Sequence, residues 1–302
     1  MLDIHQLNIF VVAAETLNFT QAAQQLHMTQ PSVSQHIQAL ERHFDIDLFI
    51  RNGRNLELTD AGMALLPMAR EAVTLSIHTD EIMESLKGEI YGHLIVGCST
   101  TPGKYILPHL LAQFHHKHPR VKVTCQVSPQ VDALKSLVDG NAHFALFSVN
   151  YDSFPDLEAV SFIRDPIVLI APLDHPWAQR EEIEPEELLE GDFIMRESNS
   201  GTFTAIREAL NKHNISTVDL RTLITLGNSE AIGLAVQEGI GVGFISKMVI
   251  DRICSEKVAE VRIRDMDISR EIYIGRNSRR PATGAQTAFW NFLTEEDPLV
   301  DS

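Results

Sequence analysis

The chain has 302 residues, of which 44% are hydrophobic and 22% are charged, and this composition is typical of a globular protein with two or three folding units. No run of about 18 or more apolar residues occurs, which excludes a membrane-spanning helix, and Asp3 and Glu15 in the apolar N-terminus argue against a secretion signal. A net charge of −16 excludes a broadly basic surface for nucleic acid. We therefore expect a cytoplasmic protein without membrane contact, in which any binding to a polyanion depends on a few local side chains.

Three cysteines are scattered along the chain, at Cys98, Cys125 and Cys254. They form neither a CxxC motif nor a zinc-ligand pattern with the histidines. We expect them to be buried, reduced thiols, and we predict no metal site and no cofactor. Whether the cysteines have a redox role stays open at this point.

Three short helices are predicted within the first 45 residues. The first buries a stripe of residues at helical spacing, namely Leu7, Phe10, Val11 and Ala14. A second helix is predicted to begin with Thr20 as its N-cap and to end near Leu26. The third begins around Pro31, a residue that the first turn of a helix tolerates. Its predicted buried stripe consists of Val33, Ile37, Leu40 and Phe44.

The face of the third helix opposite its buried stripe is almost uncharged and rich in hydrogen-bonding groups. It holds Pro31, Gln35, Gln38 and Arg42, and Ser32 and Ser34 flank it. Glutamine can bind adenine through two hydrogen bonds, and serine can contact a base edge or a phosphate, so this face suits a DNA major groove. The alternative is an ordinary solvated face of a helical bundle.

A hairpin is predicted after the third helix, where Asn52-Gly53 separates two short apolar runs. It carries Arg51 and Arg54, the one close basic pair before residue 60. A basic hairpin that follows a helix-turn-helix is typical of a wing, which contacts phosphates or a minor groove. Residues 1–60 hold seven acidic residues against three arginines, so the wing arginines would have to act locally.

Residues 19–62, FTQAAQQLHMTQPSVSQHIQALERHFDIDLFIRNGRNLELTDAG, resemble the DNA-binding signature of LysR-type transcriptional regulators. The resemblance implies a winged helix-turn-helix over 1–58 that binds double-stranded DNA at a promoter inverted repeat. It also implies base and phosphate contacts by Gln30, Pro31, Ser34 and Gln35, with Arg51 and Arg54 on the wing. RNA polymerase is a further candidate partner of such a regulator.

A long linker helix is predicted over 59–88, beginning at Thr59-Asp60. Its apolar residues recur in steps of three and four, which predicts a narrow seam like that of a coiled coil. The seam contains Leu65, Met68, Ala72, Leu75, Thr79, Ile82 and Leu86. We expect it to pack against a second copy, and the family resemblance implies a homodimer or a homotetramer.

The remainder, 92–302, alternates strands with helices and predicts an α/β domain with a parallel sheet. Strands are expected at 93–98, 121–127, 143–147, 167–171, 192–195, 220–226 and 242–245. Helices are expected at 102–116, 131–139, 202–213 and 229–238. The family resemblance implies a two-lobed effector domain like the periplasmic binding proteins, with one lobe formed by 92–163 and 267–302 and the other by 164–266.

Polar residues cluster at three predicted strand-to-helix turns of this domain, where ligands of such sheets bind. The candidates are Ser99, Thr100, Thr101, Ser198, Ser200, Gly201, Thr202 and Asn228, with Ser148 as a weaker one. Hydroxyls and backbone N–H groups at helix starts favour a small anion such as a carboxylate or phosphate. Each residue taken singly could instead be an ordinary N-cap.

Three classes of function remain. A transcriptional regulator that responds to a small-molecule effector accounts for every segment. An enzyme on a two-lobed scaffold lacks a nucleophile–base pair or metal cluster, so we predict that the chain is not an enzyme. A small-molecule-binding protein without DNA binding is the remaining alternative.

Overall fold

Three short helices, a hairpin and a long helix make up the first of two units into which the chain divides, Met1–Glu89 and Ile90–Ser302. The computed structural model describes residues 2–52, 55–85, 90–152, 154–254 and 257–295. The elements of the first unit are α1 (Ile4–Thr16), α2 (Phe19–Gln25), α3 (Gln30–Phe44), β1 (Phe49–Asn52), β2 (Asn55–Leu58) and α4 (Asp60–Ser85).

The core of the first unit forms where α1, α2 and α3 meet. The predicted stripe of α1 is buried, and so are Val33, Ile37 and Leu40 of α3. Phe44 was predicted to complete that stripe, but it is 39% exposed. It is the last residue of α3, before the left-handed turn at Asp45, and so it lies beyond the hydrophobic core.

The N-cap of α2 is Asn18, and the prediction of Thr20 is wrong. Asn18 has extended backbone angles, and its side-chain oxygen accepts hydrogen bonds from the backbone N–H groups of Thr20 and Gln21. Phe19 is already helical and packs its ring edge-on against Phe49 of β1. The two local hydrogen bonds to Asn18, a preferred N-cap residue type, therefore mark where the helix begins.

The predicted hairpin is confirmed as the antiparallel pair of β1 and β2, with Phe49 opposite Leu58 and Asn52 opposite Asn55. α4 begins after Thr59, whose hydroxyl oxygen accepts a hydrogen bond from Gly62 N–H at 3.0 Å. None of the described helices is long and apolar enough to cross a membrane.

The second unit is an α/β fold with one long sheet. Its strands are β3 (Gly92–Cys98), β4 (Val121–Val127), β5 (Phe144–Phe147), β6 (Leu157–Pro172), β7 (Asp192–Arg196), β8 (Arg221–Leu226), β9 (Val242–Ser246), β10 (Val258–Val261) and β11 (Ile268–Asn277). Its α-helices are α5 (Thr100–Tyr105), α6 (Leu107–Lys117), α7 (Gln130–Asp139), α8 (Gly201–Lys212), α9 (Ser229–Gln237), α10 (Lys247–Val249) and α11 (Gly284–Glu295). Two 3₁₀ helices (Pro176–Gln179 and Pro185–Glu190) and a π-helix (Ile250–Cys254) complete it.

The strand order is β4-β3-β5-β11-β6-β9-β7-β8, and β10 also pairs with β6. β3 is parallel to β4 and β5, and β7 is parallel to β8 and β9, as predicted within each half. The strand predicted at 167–171 is an exception, because this part of β6 is antiparallel to β9, and β6 and β11 join the halves as a second antiparallel pair. The sequence pattern predicted neither the first half of β6 nor β11.

Four hydrophobic clusters of described residues lie along this sheet, and the two largest define two lobes. The first lobe surrounds Leu94, Phe144 and Phe289, and the second surrounds Phe193 and Phe244. β6 and β11 contribute residues to both of these clusters, so these two strands form the connection between the lobes.

The helix predicted over 102–116 is interrupted. It begins earlier than predicted, at Thr100, and Ile106 separates α5 from α6. Pro108 lies in the first turn of α6, where it has no N–H to continue the hydrogen bonding of α5. The chain therefore turns at this point, and α5 stays short beside the ends of β3 and β4.

Candidate functional site

The start of α3 is held by local hydrogen bonds. Thr29 is its N-cap and accepts from Ser32 N–H at 3.4 Å, and Pro31 occupies the first turn without losing a hydrogen bond. Gln30 Nε2 donates to Ser34 Oγ at 3.4 Å, so these two side chains lie together on one side of the helix. The first turn of α3 thus presents polar side chains from a rigid backbone.

The exposed face of α3 contains the residues that the sequence predicts for DNA. Pro31, Gln35, Gln38 and Arg42 are exposed, while Gln30, Ser32 and Ser34 are half-buried. Because Val33, Ile37 and Leu40 anchor the opposite side in the core, the exposed face has a fixed direction.

The end of α3 is tied to the hairpin by a side chain that the sequence analysis did not single out. Glu41 Oε1 accepts hydrogen bonds from the backbone N–H groups of Leu48 at 2.9 Å and Phe49 at 3.3 Å. These bonds orient β1 relative to α3. Arg51 lies in β1, but its side chain and all of Arg54 are outside the described residues.

A cavity of about 250 Å³ lies between the two lobes. Its wall in the first lobe comes from the ends of β3 and β4 and the start of α7. Its wall in the second lobe comes from the turn between β7 and α8 and from Gly227. The lining residues are Ser99, Thr100, Thr101, Val127, Ser128, Pro129, Gln130, Arg196, Glu197, Asn199, Ser200, Gly201, Gly227 and Arg270.

Five of the predicted effector residues line this cavity: Ser99, Thr100, Thr101, Ser200 and Gly201. Ser148 lies just outside it, in the wall of a more open cavity of about 690 Å³, and donates to Gln130 Oε1 through its N–H and its hydroxyl. Ser198 is exposed, and Thr202 is fully buried. Asn228 caps α9 by accepting from Ala231 N–H at 2.8 Å. Ser198, Thr202 and Asn228 are not among the described residues of either cavity wall.

The hydroxyls in the wall differ in what they already bind. Ser200 Oγ is the N-cap of α8 and accepts from Phe203 N–H at 3.1 Å. The described part of α5 receives no such capping bond from the Ser99 hydroxyl. Removing the Ser99 hydroxyl would therefore leave the capping of α5 unchanged.

Gln130 connects the lobes and was not predicted. It is the first residue of α7 and is only 4% exposed. Its Oε1 accepts from Ser148, and its Nε2 donates to the carbonyl oxygen of Asn199 in the second lobe at 3.3 Å. No sequence pattern at this helix start indicated a contact with a residue 69 positions away.

Arg196 contributes a positive charge to the cavity wall and was also not predicted. Its Nε and Nη2 donate to the Glu197 carboxylate at 2.8 and 2.6 Å, and its Nη1 donates to Ser229 Oγ at 3.3 Å. Burial alone would raise the pKa of Glu197, but the hydrogen bonds from Arg196 and the backbone, with the Arg196 charge, lower it overall. The signal for Arg196 was its place directly after the apolar residues Phe193 to Met195 of β7.

A second arginine, Arg270 of β11, reaches the cavity from the connection between the lobes. Its Nε donates to Asp165 Oδ2 at 2.8 Å, and its Nη2 lies 2.7 Å from the same oxygen. Ser246 Oγ donates to Asp165 Oδ1 at 2.6 Å. This buried cluster joins β11, β6 and β9. No local pattern relates these residues, because 105 positions separate Asp165 from Arg270.

Comparison with known proteins yields two family matches. Residues 4–63 match a model described as a bacterial regulatory helix-turn-helix protein of the lysR family. Residues 87–298, more than half of the chain, match the LysR substrate binding domain. The chain belongs to the LysR family. As such it is a DNA-binding transcriptional regulator with a C-terminal effector-binding domain, and the second match includes both lobes and the cavity.

Two of the relatives of this LysR-type regulator span nearly its whole length, and a third matches its second unit. An uncharacterized HTH-type transcriptional regulator of Methanocaldococcus jannaschii is 31% identical and covers 97% of this chain and 98% of its own. A probable RuBisCO transcriptional regulator of Synechocystis is 32% identical, covering 95% of this chain and 84% of its own. The Synechocystis CcmR regulatory domain, solved in complex with 2-PG, is 26% identical with a TM-score of 0.61, covering 69% of this chain and 99% of the domain.

Proposed function

We propose that this LysR-type regulator reads a promoter inverted repeat as a homo-oligomer and that a small anion bound in the cavity between the lobes sets its activity. The observation that carries the proposal is the composition of the cavity wall, where Ser99, Thr100 and Thr101 of one lobe face Ser200 and Arg196 of the other. A ligand that bonds to both lobes favours their present arrangement, and it shifts activity only if it binds the alternative arrangement less tightly.

The proposed anion competes with Glu197 for Arg196. A carboxylate or phosphate offers the same pairs of oxygens that Arg196 now binds on Glu197, and arginine binds such groups in a planar, two-bond geometry. The cavity volume of about 250 Å³ suits a small metabolite. Since 2-PG is the ligand of the related CcmR domain, it is the first probe for this chain. The family consists of regulators, so we propose that the cavity binds its ligand without transforming it.

The DNA contacts proposed are those of α3 and the wing. Gln35 and Gln38 are exposed and suit adenine, while Gln30, Pro31, Ser32 and Ser34 lie beside them at the helix start. Arg51 and Arg54 are proposed to bind phosphates from the wing. This division gives base selection to uncharged side chains and suits a chain with a net charge of −16.

Homo-oligomer formation is proposed to use α4. Leu65 and Ala72 of the predicted seam pack partly on the local core, but Met68, Leu75 and Ile82 are exposed, and Leu86 lies outside the described residues. Pairing two α4 helices covers such side chains and holds two copies of α3 at half-sites about 34 Å apart. We propose the domain division 1–58, 59–88 and 92–302, a homodimer that can assemble into a tetramer, and a cytoplasmic location where DNA and RNA polymerase are available.

Two matched serine variants test the cavity. Ser99→Ala removes a hydroxyl from the wall, whereas Ser198→Ala removes an exposed hydroxyl outside it. A hydrogen bond to a charged group contributes about 1.5–3 kcal/mol. Calorimetric titration should therefore show that Ser99→Ala lowers the affinity for 2-PG roughly 10- to 150-fold, whereas Ser198→Ala leaves it unchanged. Equal affinities in the two variants, with tight binding by the parent, would refute the assignment of the wall.

A gel-shift titration against DNA upstream of the chain's own gene tests α3. Gln35→Ala should weaken binding by about 1–3 kcal/mol, because a two-bond contact to adenine is lost. Gln126→Ala, at an exposed position of β4 in the second unit, is the control and should bind like the parent. Unchanged binding by Gln35→Ala would remove this residue from the proposed interface.

A further inference from the structure

Two cysteines that are 27 residues apart meet on neighbouring strands of the first lobe. In the parallel pair of β3 and β4, Cys98 lies opposite Val127 and Val96 lies opposite Cys125. Cys125 is thus two residues before the partner of Cys98, and side chains two apart on a strand share a face. The two sulfur atoms are 3.3 Å apart.

The two thiols differ in accessibility. Cys98 is fully buried, whereas Cys125 is exposed, contrary to the expectation that the cysteines are buried. Gly103 of α5 packs closely over Cys98, since a Cβ at this position would lie 2.8 Å from Cys98 Sγ. A small oxidant can reach Cys125 because this residue is exposed, whereas Cys98 is buried beside it.

The hydrogen bond between the two thiols shifts their pKa values in opposite directions. Donation from Cys98 to Cys125 lowers the pKa of Cys125 to about 7. The same bond, together with burial, raises the pKa of Cys98 well above its usual range. Because the thiolate is the reactive form, Cys125 is the nucleophile of the pair at neutral pH.

We propose that Cys98 and Cys125 are a redox site that forms a reversible disulfide when the protein reacts with hydrogen peroxide. The Cys125 thiolate attacks one peroxide oxygen, the O–O bond breaks, and the departing hydroxide takes up a proton to leave as water. The product is the Cys125 sulfenic acid. Cys98 sulfur then attacks the sulfur of Cys125, the S–O bond breaks, and the hydroxide leaves with the Cys98 proton as a second water. Two thiols are oxidised and one peroxide is reduced.

The disulfide would act on the wall of the cavity. Closing the sulfur atoms from 3.3 Å to a bond of about 2.05 Å pulls the ends of β3 and β4 together. Ser99 and Ser128, the next residue after each strand's end, line the cavity, and Ser128 N–H donates to the Cys98 carbonyl oxygen at 2.9 Å. That this change reaches an effector rests on the proposed function of the cavity; the disulfide does not.

Peptide mapping of the full-length protein tests the site without any effector. Reduced protein is treated with one equivalent of hydrogen peroxide, remaining thiols are alkylated, and the digest is analysed by mass spectrometry. We expect a peptide that links Cys98 to Cys125 and disappears on reduction with dithiothreitol. Cys254→Ser should retain it, and Cys125→Ser, a change at an exposed position that preserves folding, should lose it. Two results would overturn the proposal. One is Cys125 oxidised to the sulfinic acid while Cys98 is recovered in alkylated form, as a free thiol would be. The other is a disulfide that involves Cys254.

Hydrogen exchange of the reduced and oxidised proteins tests the coupling to the cavity wall. Exchange in peptides that include Ser128 should change at least about twofold between the two forms. Equal exchange rates there, with the disulfide formed, would overturn the coupling. Neither readout depends on 2-PG, so a failure here is distinct from a failure of the proposed function.

Discussion

Arg196 binds the carboxylate of its own neighbour, Glu197, through two hydrogen bonds of 2.8 and 2.6 Å in the cavity wall. The charges of the two side chains therefore neutralise each other. The anion proposed as ligand would compete with Glu197 for this guanidinium, so we expect the Glu197 carboxylate to lower the affinity for that anion.

Glu197→Gln should therefore strengthen anion binding. The variant removes the competing charge, and we expect the affinity for 2-PG or inorganic phosphate to rise roughly tenfold, corresponding to about 1.4 kcal/mol. Calorimetric titration measures this affinity. Glu238→Gln, an exposed change at the end of α9, should bind like the parent. A weaker affinity in Glu197→Gln would mean that the carboxylate itself contacts the ligand.

Breaking the buried cluster at the lobe connection should destabilise the second unit. Asp165 is fully buried and pairs with Arg270, so Asp165→Ala leaves a buried arginine uncompensated at a cost of about 3–5 kcal/mol. Glu158→Ala breaks the Glu158–Arg276 pair on the same two strands, where Glu158 is 45% exposed, and should cost less than about 1 kcal/mol. Urea unfolding curves measure the free energy of unfolding of both variants. An equal loss of stability in the two variants would contradict this account of Asp165.

The seam of α4 yields a test of oligomer formation. Leu75 of the seam is 63% exposed, and Ile77, off the seam, is 52% exposed. Leu75→Glu should weaken association at least about tenfold, because it places a charge in the proposed helix pair. Ile77→Glu should leave it unchanged. Sedimentation equilibrium measures the association of both variants. A larger loss of association in Ile77→Glu would place the contact between copies on another face of α4.

A pH-dependent contact joins the lobes outside the cavity. Glu230 of α9 accepts from Lys104 Nζ and Tyr105 Oη of α5, both at 2.6 Å. These bonds, Lys104 first, hold the pKa of Glu230 below its ordinary value of about 4.3. A carboxylate with a lowered folded pKa stabilises the fold above that ordinary value, and its contribution is lost as the pH falls through the folded pKa.

Glu230→Gln should consequently lower stability at pH 7, and the difference from the parent should shrink as the pH falls through the folded pKa of Glu230. Lys104 is 52% exposed and screened by solvent, so the difference at pH 7 should be at most about 1 kcal/mol. Urea unfolding of parent and variant at pH 7 and at acid pH measures the difference. Glu238→Gln serves again as control. A difference that grows in acid would contradict the assigned sign.

The sequence predicted the elements whose stabilising contacts are local. The periodic apolar residues of α1 and α3, the Asn-Gly hairpin and the Thr59 helix start are visible because neighbours along the chain create them. The five hydroxyl and glycine positions of the cavity wall were also predictable, since the ends of strands mark where ligands bind in such sheets.

Only the tertiary structure decided the contacts that join distant segments. The antiparallel pairing of β6 with β11 made the sheet mixed. Asp165 meets Arg270, and Cys98 meets Cys125, through strand register alone. A buried charge or a thiol acquires its chemistry from partners that folding brings within about 3 Å, and no pattern along the chain specifies that distance.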